Sequence, residues 1–474
     1  MDESSLSTDT GNVWGRRLST ILILGFAVAA AIGWGSVNYF HRSPGLVESF
    51  RSDDGWCDPA VAGVGVHCFG DFALPNILVA QGDAWPGHIG ASPGPVNPYS
   101  ALGMTPNVLA NQVAQTPIGP RGSLFIYLVL LALALLAPAL WAVLAGRGPP
   151  RNWLPLLVIG VASGPFLTTM DRGNSIGFAV PLILLFALFI RRNPAWVAPV
   201  AVIAAAAVRP QFVLLALALV AFGRWRAALY AVLGAVASGL LAFAVWPGGM
   251  VSNIQEWLGD IQAFQAGVDP AADTPINVSA AHSVATLGQW LGHAPGFVGD
   301  AGTGLVAFIR QFPSLPGVLI ALAVGLTLLC ARGRVPQSLV LTLVFALPAL
   351  IQGVAYSYSL IFALVLAALV LGPTALAASG HTDNRVTGLF DDLATRGRAW
   401  RLWAWVVVVA IALSVVPITL SIDALSQSLV KGQAGLVWLV VVVGGIVLAW
   451  SSIGNPLSAR HRPAPQHLDD GPTT

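Results

Sequence analysis

Apolar runs long enough to cross a lipid bilayer recur from one end of the chain to the other. A membrane-spanning helix needs about 20 predominantly apolar residues, and such runs cover 18–37, 123–145, 227–246 and 434–452. Only 9% of the residues are charged, whereas soluble domains carry about 25%. These long runs differ from the short, alternating strands of a membrane β-barrel. The chain is therefore predicted to be an all-α integral membrane protein.

The polar stretches between the runs predict one polytopic membrane domain over residues 1–474. The first run, 18–37, is long and lacks a small-residue cleavage site, which favours a retained signal-anchor helix over a cleaved signal peptide. Two long polar loops follow, 38–121 and 247–303, and both contain many acidic residues. The loops are predicted to be extracytoplasmic and to carry short amphipathic helices, whereas the tail 453–474 is predicted to be cytoplasmic.

Two apolar runs in the middle of the chain, 195–208 and 211–222, are each too short to cross a membrane. They form either one long helix or a hairpin that is broken between them. Arginine-rich stretches at 191–192 and 224–226 flank the pair, and positive residues collect on the cytoplasmic side. One spanning helix would place one of these stretches outside, whereas a hairpin keeps both inside. The hairpin is therefore favoured, and it gives about twelve membrane segments with both termini in the cytoplasm.

Three cysteines are too few for a disulfide scaffold. Cys57 and Cys68 lie in the same first loop, whereas Cys330 lies inside an apolar run. If the loop faces an oxidising compartment, Cys57 and Cys68 are expected to form a disulfide. The alternative is two free thiols.

The sequence Asp171-Arg172-Gly173-Asn174 closes one apolar run and opens the next. An ionisable residue at the membrane is costly, and its position is therefore a functional-site hypothesis. A helix that starts after a Gly-Asn turn offers free backbone N–H groups close to Arg172, and this combination suits a phosphate. The alternative is structural, with Asn174 as a helix cap and an Asp171–Arg172 pair at the surface.

Arg209-Pro210-Gln211 lies at the break of the predicted hairpin. Proline ends the first half-helix, and a guanidinium at this depth is costly unless it has a partner. Because arginine binds phosphate through two hydrogen bonds, Arg209 is predicted to bind the same phosphate as Arg172. The alternative is an arginine that extends to the membrane interface.

Asp71 opens an amphipathic stretch of the first loop that could lie on the membrane surface. Asp53, Asp54 and Asp83, in contrast, are expected to be solvated turn residues. Asp71 is a candidate catalytic carboxylate, and the alternative is a helix cap. Further candidate substrate contacts on the predicted outer side are Asp171, Gln211, His282, Tyr356 and Tyr358. The two tyrosines have an alternative role as aromatic anchors at the membrane interface.

Several kinds of site are absent from the sequence. No His, Cys and carboxylate cluster has metal-ligand spacing, and there is no phosphate-binding glycine loop or nucleophile elbow. No metal and no cofactor is therefore predicted. No basic cluster is interleaved with aromatic residues, so nucleic acid is not an expected partner.

The arrangement of these motifs matches that of a group of membrane enzymes. A long first loop with an early aspartate is followed by DRGN at a helix start, and then by RR, AAAAVRPQFVLLALAL and GRWR. This layout resembles that of the polyprenyl-phosphate-sugar-dependent glycosyltransferases of the GT-C superfamily. It is most similar to glycosyltransferase family 87, which includes phosphatidylinositol-mannoside mannosyltransferases.

The resemblance implies a GT-C-like helix bundle and an inverting sugar transfer on the extracytoplasmic face of a bacterial plasma membrane. The sugar, with mannose expected, would move from a polyprenyl-phosphate donor in the membrane to a lipid or glycan acceptor. Asp71 matches the family's base, which deprotonates the acceptor hydroxyl. Arg172 and Asn174 match the family's turn, and with Arg209 they would bind the donor phosphate. Membrane lipids complete the expected partners.

A transporter or flippase for a lipid-linked or anionic substrate is the main alternative, because it would also use an embedded arginine and a broken hairpin. Large loops on one side count against it, since alternating access requires a site that both faces can reach. A structural or assembly subunit would leave Arg209 unexplained.

Overall fold

The computed structural model of the protein describes residues 69–82, 84–85, 97–146, 160–161, 163–267, 269, 277–377, 389–390, 393, 396–415 and 423–453, together with residues 20, 22 and 24. The predicted disulfide cysteines Cys57 and Cys68, most of the signal anchor and nearly all of the tail lie outside these residues. Every regular element within them is helical, apart from an isolated bridge between Asn277 and Tyr356. The all-α prediction is confirmed for this part of the chain.

The first eight described α-helices precede the second long loop. They are α1 (Gly70–Gln81), α2 (Thr105–Ala114), α3 (Gly119–Gly146), α4 (Gly164–Arg172), α5 (Val180–Phe189), α6 (Val197–Val208), α7 (Ala216–Ala221) and α8 (Trp225–Val245). Short 3₁₀ segments, Ser175–Ala179 and Pro210–Leu215, lead directly into α5 and α7.

The other eight described α-helices start within the second loop and continue to the end of the described chain. They are α9 (Met250–Ala266), α10 (Ala280–Gly292), α11 (Phe297–Gln311), α12 (Leu315–Cys330), α13 (Gln337–Leu350), α14 (Phe362–Ala377), α15 (Arg398–Val415) and α16 (Asp423–Ile453). A third 3₁₀ segment, Ser357–Ile361, leads into α14.

Four helical stretches within the described residues are long and apolar enough to cross a membrane. They are Gly119–Leu144 in α3, Trp225–Val245, Arg398–Val415, and Ala434–Ile453 in α16. A fifth candidate is the pair α11 and α12, which meet at a bend of 90°. These apolar helices indicate an integral membrane protein.

The predicted count of about twelve membrane segments is not confirmed by these helix lengths. Several apolar runs form helices of 10–17 residues, because prolines and 3₁₀ segments divide them. The 12 residues of α6, for example, extend about 18 Å at 1.5 Å per residue, which is less than the ~30 Å of a bilayer core. The lengths of apolar runs therefore overestimate the number of long helices.

The predicted hairpin between α6 and α7 is confirmed. The backbone is extended at Arg209, between α6 and the 3₁₀ segment that begins at Pro210. Beyond α7, the Arg224 side chain donates to the carbonyl oxygen of Ile190 at 2.6 Å and also to that of Ala195. A continuous helix through both segments would separate its ends by about 35 Å. These contacts therefore require the chain to reverse at Arg209.

Arginine-rich turns meet at one end of the helix bundle. The Arg191 guanidinium lies 5.4 Å from the ring centroid of Phe222, and Arg332 Nη2 donates to the carbonyl oxygen of Gly223 at 3.3 Å. Together with Arg224, these side chains join the turns that precede α6, precede α8 and follow α12. Both α6 and α13 run from this end toward a cluster of polar residues at their other ends.

Helix α13 forms the centre of the bundle. All of its residues from Ser338 to Leu350 are buried, and only Ser338 and Thr342 among them are polar. A helix that is apolar all round must be covered on every side, and α12, α14 and α16 pack against it within the described chain. Just beyond its last residue, this buried helix continues into the segment 351–358, which reaches the polar cluster.

Candidate active site

Asp71 lies in the first turn of α1, and its carboxylate bonds to the end of α4 and the turn that follows. Arg172 Nε lies 2.8 Å from Asp71 Oδ2, and Arg172 Nη2 lies 3.2 Å from Asp71 Oδ1. Asn174 Nδ2 also donates to Asp71 Oδ2, at 2.9 Å. The Asp71 side chain is only 12% exposed and that of Arg172 13%. A two-point ion pair with so little water around it is a strong link.

The local backbone directs Asp71 away from its own helix. The N-cap of α1 is Phe69, which has a left-handed conformation (φ 47°), and its carbonyl oxygen accepts hydrogen bonds from the amides of Phe72 and Ala73. No side chain among the described residues caps α1. The Asp71 carboxylate bonds to Arg172 at the end of α4 instead. Gly173 ends α4 with φ 63°, and a Cβ at this position would lie 2.8 Å from Phe72 Cβ. Only glycine suits both this turn and the close approach of α1.

Asn174 connects Asp71 to Arg209. Its Nδ2 donates to the carboxylate, while its Oδ1 accepts from Arg209 Nη2 at 3.1 Å and from the amide of Ile176 at 2.9 Å. The bond to Ile176 caps the 3₁₀ segment before α5. Asn174 is fully buried. Its side chain is therefore fixed by three hydrogen bonds, one that caps the 3₁₀ segment and two to the charged residues.

Arg209 is a cation with few partners. Its guanidinium carbon lies 4.1 Å from the centroid of the Tyr99 ring, a favourable cation–π arrangement. Within the described residues it makes one hydrogen bond, to Asn174, and no carboxylate lies within 4.0 Å of it. An arginine has five N–H donors, so most of those on Arg209 remain available to a ligand.

Hydrogen bonds fix the segment that carries Tyr99. The amide of Asn97 donates to Asp260 Oδ2 at 3.0 Å, and Trp85 Nε1 donates to the Tyr99 carbonyl oxygen at 2.9 Å. Because Asp260 lies on α9, these bonds join the first loop to the second. Burial raises the pKa of the Tyr99 phenol well above its ordinary value, and the negative charge of Asp71 raises it further. The hydroxyl therefore stays protonated.

A cavity of about 260 Å³ opens beside these side chains. Asp71, Arg172 and Arg209 line it, and they contribute one negative and two positive charges. The net positive charge favours an anionic ligand. Within the described residues, no three His, Cys, Asp or Glu side chains are close enough together to hold a metal ion.

The other candidate residues divide into two groups. Gln211, Tyr356 and Tyr358 line the cavity. His282 is buried in the first turn of α10 and is not among the lining residues. Asp171 belongs to α4, next to Arg172, but its side chain is not among those that the structure describes.

Helix α9 supplies a cavity wall that the sequence analysis missed. Trp257, Ile261, Phe264 and Gln265 all line the cavity, and their spacing of four, three and one residues places them on one helix face. This helical spacing is visible in the sequence and could have indicated a helix face in the second loop. Tyr99 was likewise not among the candidate residues, although the cavity reaches its ring.

The sequence model described as Glycosyltransferase family 87 matches residues 98–352, just over half of the chain. The protein belongs to glycosyltransferase family 87. Membership indicates glycosyltransferase activity and confirms the family resemblance of the sequence. No curated protein and no solved structure gives a significant match. The matched region of this glycosyltransferase includes Arg172, Asn174 and Arg209, whereas Asp71 precedes it.

Replacing Arg172 should destabilise the glycosyltransferase. Arg172→Ala leaves the Asp71 carboxylate almost buried without its cation, at a cost of about 1.5–3 kcal/mol. The double variant Asp71→Ala/Arg172→Ala should recover part of this loss, because no unpaired charge remains. The measurement is the apparent melting temperature of the purified protein.

The matched control for this prediction is the exposed pair of Arg310 and Asp269, whose atoms lie 3.0 Å apart with side chains 56% and 40% exposed. Arg310→Ala should change stability by less than about 1 kcal/mol. Equal effects of Arg172→Ala and Arg310→Ala would show that the Asp71–Arg172 pair has no special structural role.

Proposed function

We propose that this family 87 protein is an inverting glycosyltransferase that moves a sugar from a polyprenyl-phosphate donor to a lipid or glycan acceptor. Mannose is the sugar that the family resemblance favours. The observation that carries the proposal is Arg209, a guanidinium that has no carboxylate partner among the described residues and lies beside the cavity with Asp71. A cation with available donors and a fixed carboxylate are the two groups that such a transfer requires.

The charges of the cavity agree with a lipid-linked phosphodiester as donor. Such a diester carries one negative charge, which the net positive charge of Asp71, Arg172 and Arg209 balances. After transfer the leaving phosphate is a monoester with close to two negative charges. If Asp71 has taken the acceptor proton by then, the two arginines balance these charges as well.

Asp71 Oδ1 is the oxygen best placed to act as the general base. A carboxylate has about four lone-pair sites. Arg172 and Asn174 occupy two of them on Oδ2, and Arg172 occupies one on Oδ1. The remaining site on Oδ1 can accept the proton of an acceptor hydroxyl, while the ion pair fixes the direction from which that hydroxyl approaches.

The proposed reaction is a single displacement at the anomeric carbon of the donor sugar. The acceptor oxygen forms the new bond to this carbon as its proton passes to Asp71, and the bond from the carbon to the phosphate oxygen breaks. The electron pair of that bond leaves with the phosphate, whose added charge Arg209 stabilises. Arg172 acts on the phosphate through its charge, while its side chain positions Asp71.

Amide side chains in the cavity wall support a sugar as ligand. Gln211, Gln265 and Gln352 line the cavity, and each amide can both donate and accept hydrogen bonds, as sugar hydroxyls do. Apolar residues such as Leu74 and Ile176 line it as well. They suit the first isoprene units of a lipid donor.

We further propose that the cavity faces the extracytoplasmic side and that the short apolar helices complete a bundle of about twelve membrane segments. The support is the distribution of charge. Arg191, Arg224 and Arg332 lie together at the opposite end of the bundle from the cavity, and arginines collect on the cytoplasmic side of membrane proteins.

Single cysteines should test this orientation in intact cells that carry the protein without its native cysteines. A membrane-impermeant maleimide should label Ser252→Cys, on the exposed side of α9, and should not label Arg334→Cys, in the exposed turn after α12. Both positions should react after the cells are opened. Labelling of Arg334→Cys alone in intact cells would show that the protein has the opposite orientation.

Asp71→Asn should reduce sugar transfer by about two orders of magnitude or more, because the amide keeps the shape of the side chain and cannot take a proton. The assay follows radiolabelled mannose from polyprenyl-phosphate mannose to candidate lipid acceptors, with purified protein. Asp300→Asn, which changes an exposed aspartate on α11, should leave the rate unchanged. Near-normal transfer by Asp71→Asn would mean that another group is the base, and Asp171 would be tested next.

Arg209→Ala should weaken donor binding, and Arg209→Lys should restore part of it, because lysine keeps the charge but not the planar fork. The readout is the KM for the donor together with direct binding of donor to the purified variants. Arg192→Ala, at an exposed arginine of the opposite end, is the control and should bind normally. Normal binding by both Arg209 variants would show that the phosphate does not bind at Arg209, and it would favour the transporter alternative.

A further inference from the structure

Tyr99 and Arg209 each carry a buried polar atom that has no hydrogen-bond partner among the described residues. Among the described residues only six buried side-chain nitrogen or oxygen atoms lack a partner, and the Tyr99 hydroxyl and Arg209 Nε are two of them. These two residues also stack on each other and line the same cavity. Unpartnered donors therefore coincide with the proposed phosphate site.

The Tyr99 hydroxyl makes no hydrogen bond within the described residues that would stabilise the fold. A buried polar group without a partner loses its hydration and gains no bond in return. Phenylalanine would offer Arg209 the same kind of aromatic face without this cost, because the cation interacts with the ring and not with the hydroxyl. An orphaned buried group in a native structure calls for a functional explanation.

The surroundings of Tyr99 also prevent the hydroxyl from turning away to find a partner. Its backbone is held on both sides, since the Tyr99 amide donates to Asn97 Oδ1 and its carbonyl oxygen accepts from Trp85 Nε1. Tyr99 as a whole is only 4% exposed. The hydroxyl is therefore kept at one place, and Asp71 and Arg209 are the two charged groups that act on it most strongly.

We propose that the Tyr99 hydroxyl is a donor-binding group, which donates a hydrogen bond to an oxygen of the phosphate that Arg209 binds. This inference rests on the proposed function and adds to it a neutral hydrogen-bond donor beside the cation. The hydroxyl is covered by neighbouring side chains, so the bond forms as the phosphate enters and these side chains adjust. Arg209 Nε, the other unpartnered atom, gains a phosphate oxygen in the same step.

The raised pKa of the Tyr99 phenol agrees with this role. A phenol that stays protonated can donate to an anion, whereas a phenolate would repel it. Burial is the larger cause of the rise, and the charge of Asp71 is the second. The charge of Asp71 thereby helps to keep the Tyr99 hydroxyl protonated. The same carboxylate takes the proton of the acceptor hydroxyl.

The test compares Tyr99→Phe with the unmodified full-length protein in nanodiscs, with farnesyl phosphate as the probe and farnesol as the probe without phosphate. Loss of a hydrogen bond to a charged group should weaken the binding of farnesyl phosphate about tenfold or more. The apparent melting temperature of Tyr99→Phe without ligand should be equal to or higher than that of the unmodified protein. Weaker binding by a protein that is at least as stable is not expected from a structural role.

Two other tyrosines provide matched controls. Tyr230, on α8, is 65% exposed, and Tyr230→Phe should change neither binding nor melting temperature. The Tyr127 hydroxyl donates to the carbonyl oxygen of Gly173 at 2.8 Å, so Tyr127→Phe should lower the melting temperature. The three variants thus separate an exposed hydroxyl, a satisfied one and an unsatisfied one.

The outcomes are distinguishable. If Tyr99→Phe binds farnesyl phosphate as tightly as the unmodified protein, or melts clearly lower, the proposal for Tyr99 is wrong while the proposed function stands. If the unmodified protein binds farnesyl phosphate no better than farnesol, the phosphate site of the proposed function is itself wrong.

Discussion

The ion pair between Asp71 and Arg172 is the interaction on which the arrangement of the site depends. It joins α1, in the long first loop, to the end of α4, and these segments are 101 residues apart in sequence. Phe72 packs against Tyr127 and holds α1 on the bundle, and the ion pair then fixes the carboxylate at the end of α4. Asn174 extends the link to Arg209, so a short chain of hydrogen bonds sets the distance between the proposed base and the proposed phosphate-binding cation. Because these groups are almost buried, water screens their charges poorly. Their interaction energies therefore depend strongly on the distances between them.

The hairpin at Arg209 explains how a chain of apolar helices can present a guanidinium there. The break before Pro210 leaves an extended residue between two helical segments, and the aromatic face of Tyr99 partly replaces the water that the cation has lost. A continuous helix would have surrounded the same side chain with apolar neighbours or lipid. Polar chemistry among these apolar helices therefore depends on an irregular backbone, which other segments of the protein must cover.

Much of this site could be predicted from local sequence. Arg172 and Arg209 were conspicuous as costly ionisable residues beside apolar runs, and Asn174 stood in the same turn as Arg172. Asp71 was conspicuous because it opens an amphipathic stretch of the first loop. The short apolar runs and the positive-inside rule together predicted the hairpin. Their mutual contacts could not be predicted, because nothing local indicates that Arg172 would bind Asp71 directly and not a phosphate alone. Tyr99 was missed for a similar reason, since its role depends on an arginine 110 residues away. The count of about twelve membrane segments is not confirmed by the described helix lengths, because hydropathy does not register the 3₁₀ segments that interrupt apolar runs.

The hydrogen bond from the Asn97 amide to Asp260 has a consequence for how such enzymes can be recombined. The family-matched region begins at residue 98. It therefore contains both arginines and the α9 wall, but it lacks α1 and the Asn97 amide that joins the two loops. A chimera built on the boundaries of sequence similarity would thus separate the carboxylate from its guanidinium partner. The unit that can be exchanged between relatives is defined by these contacts, and it extends on the N-terminal side at least to Phe69, where α1 is capped.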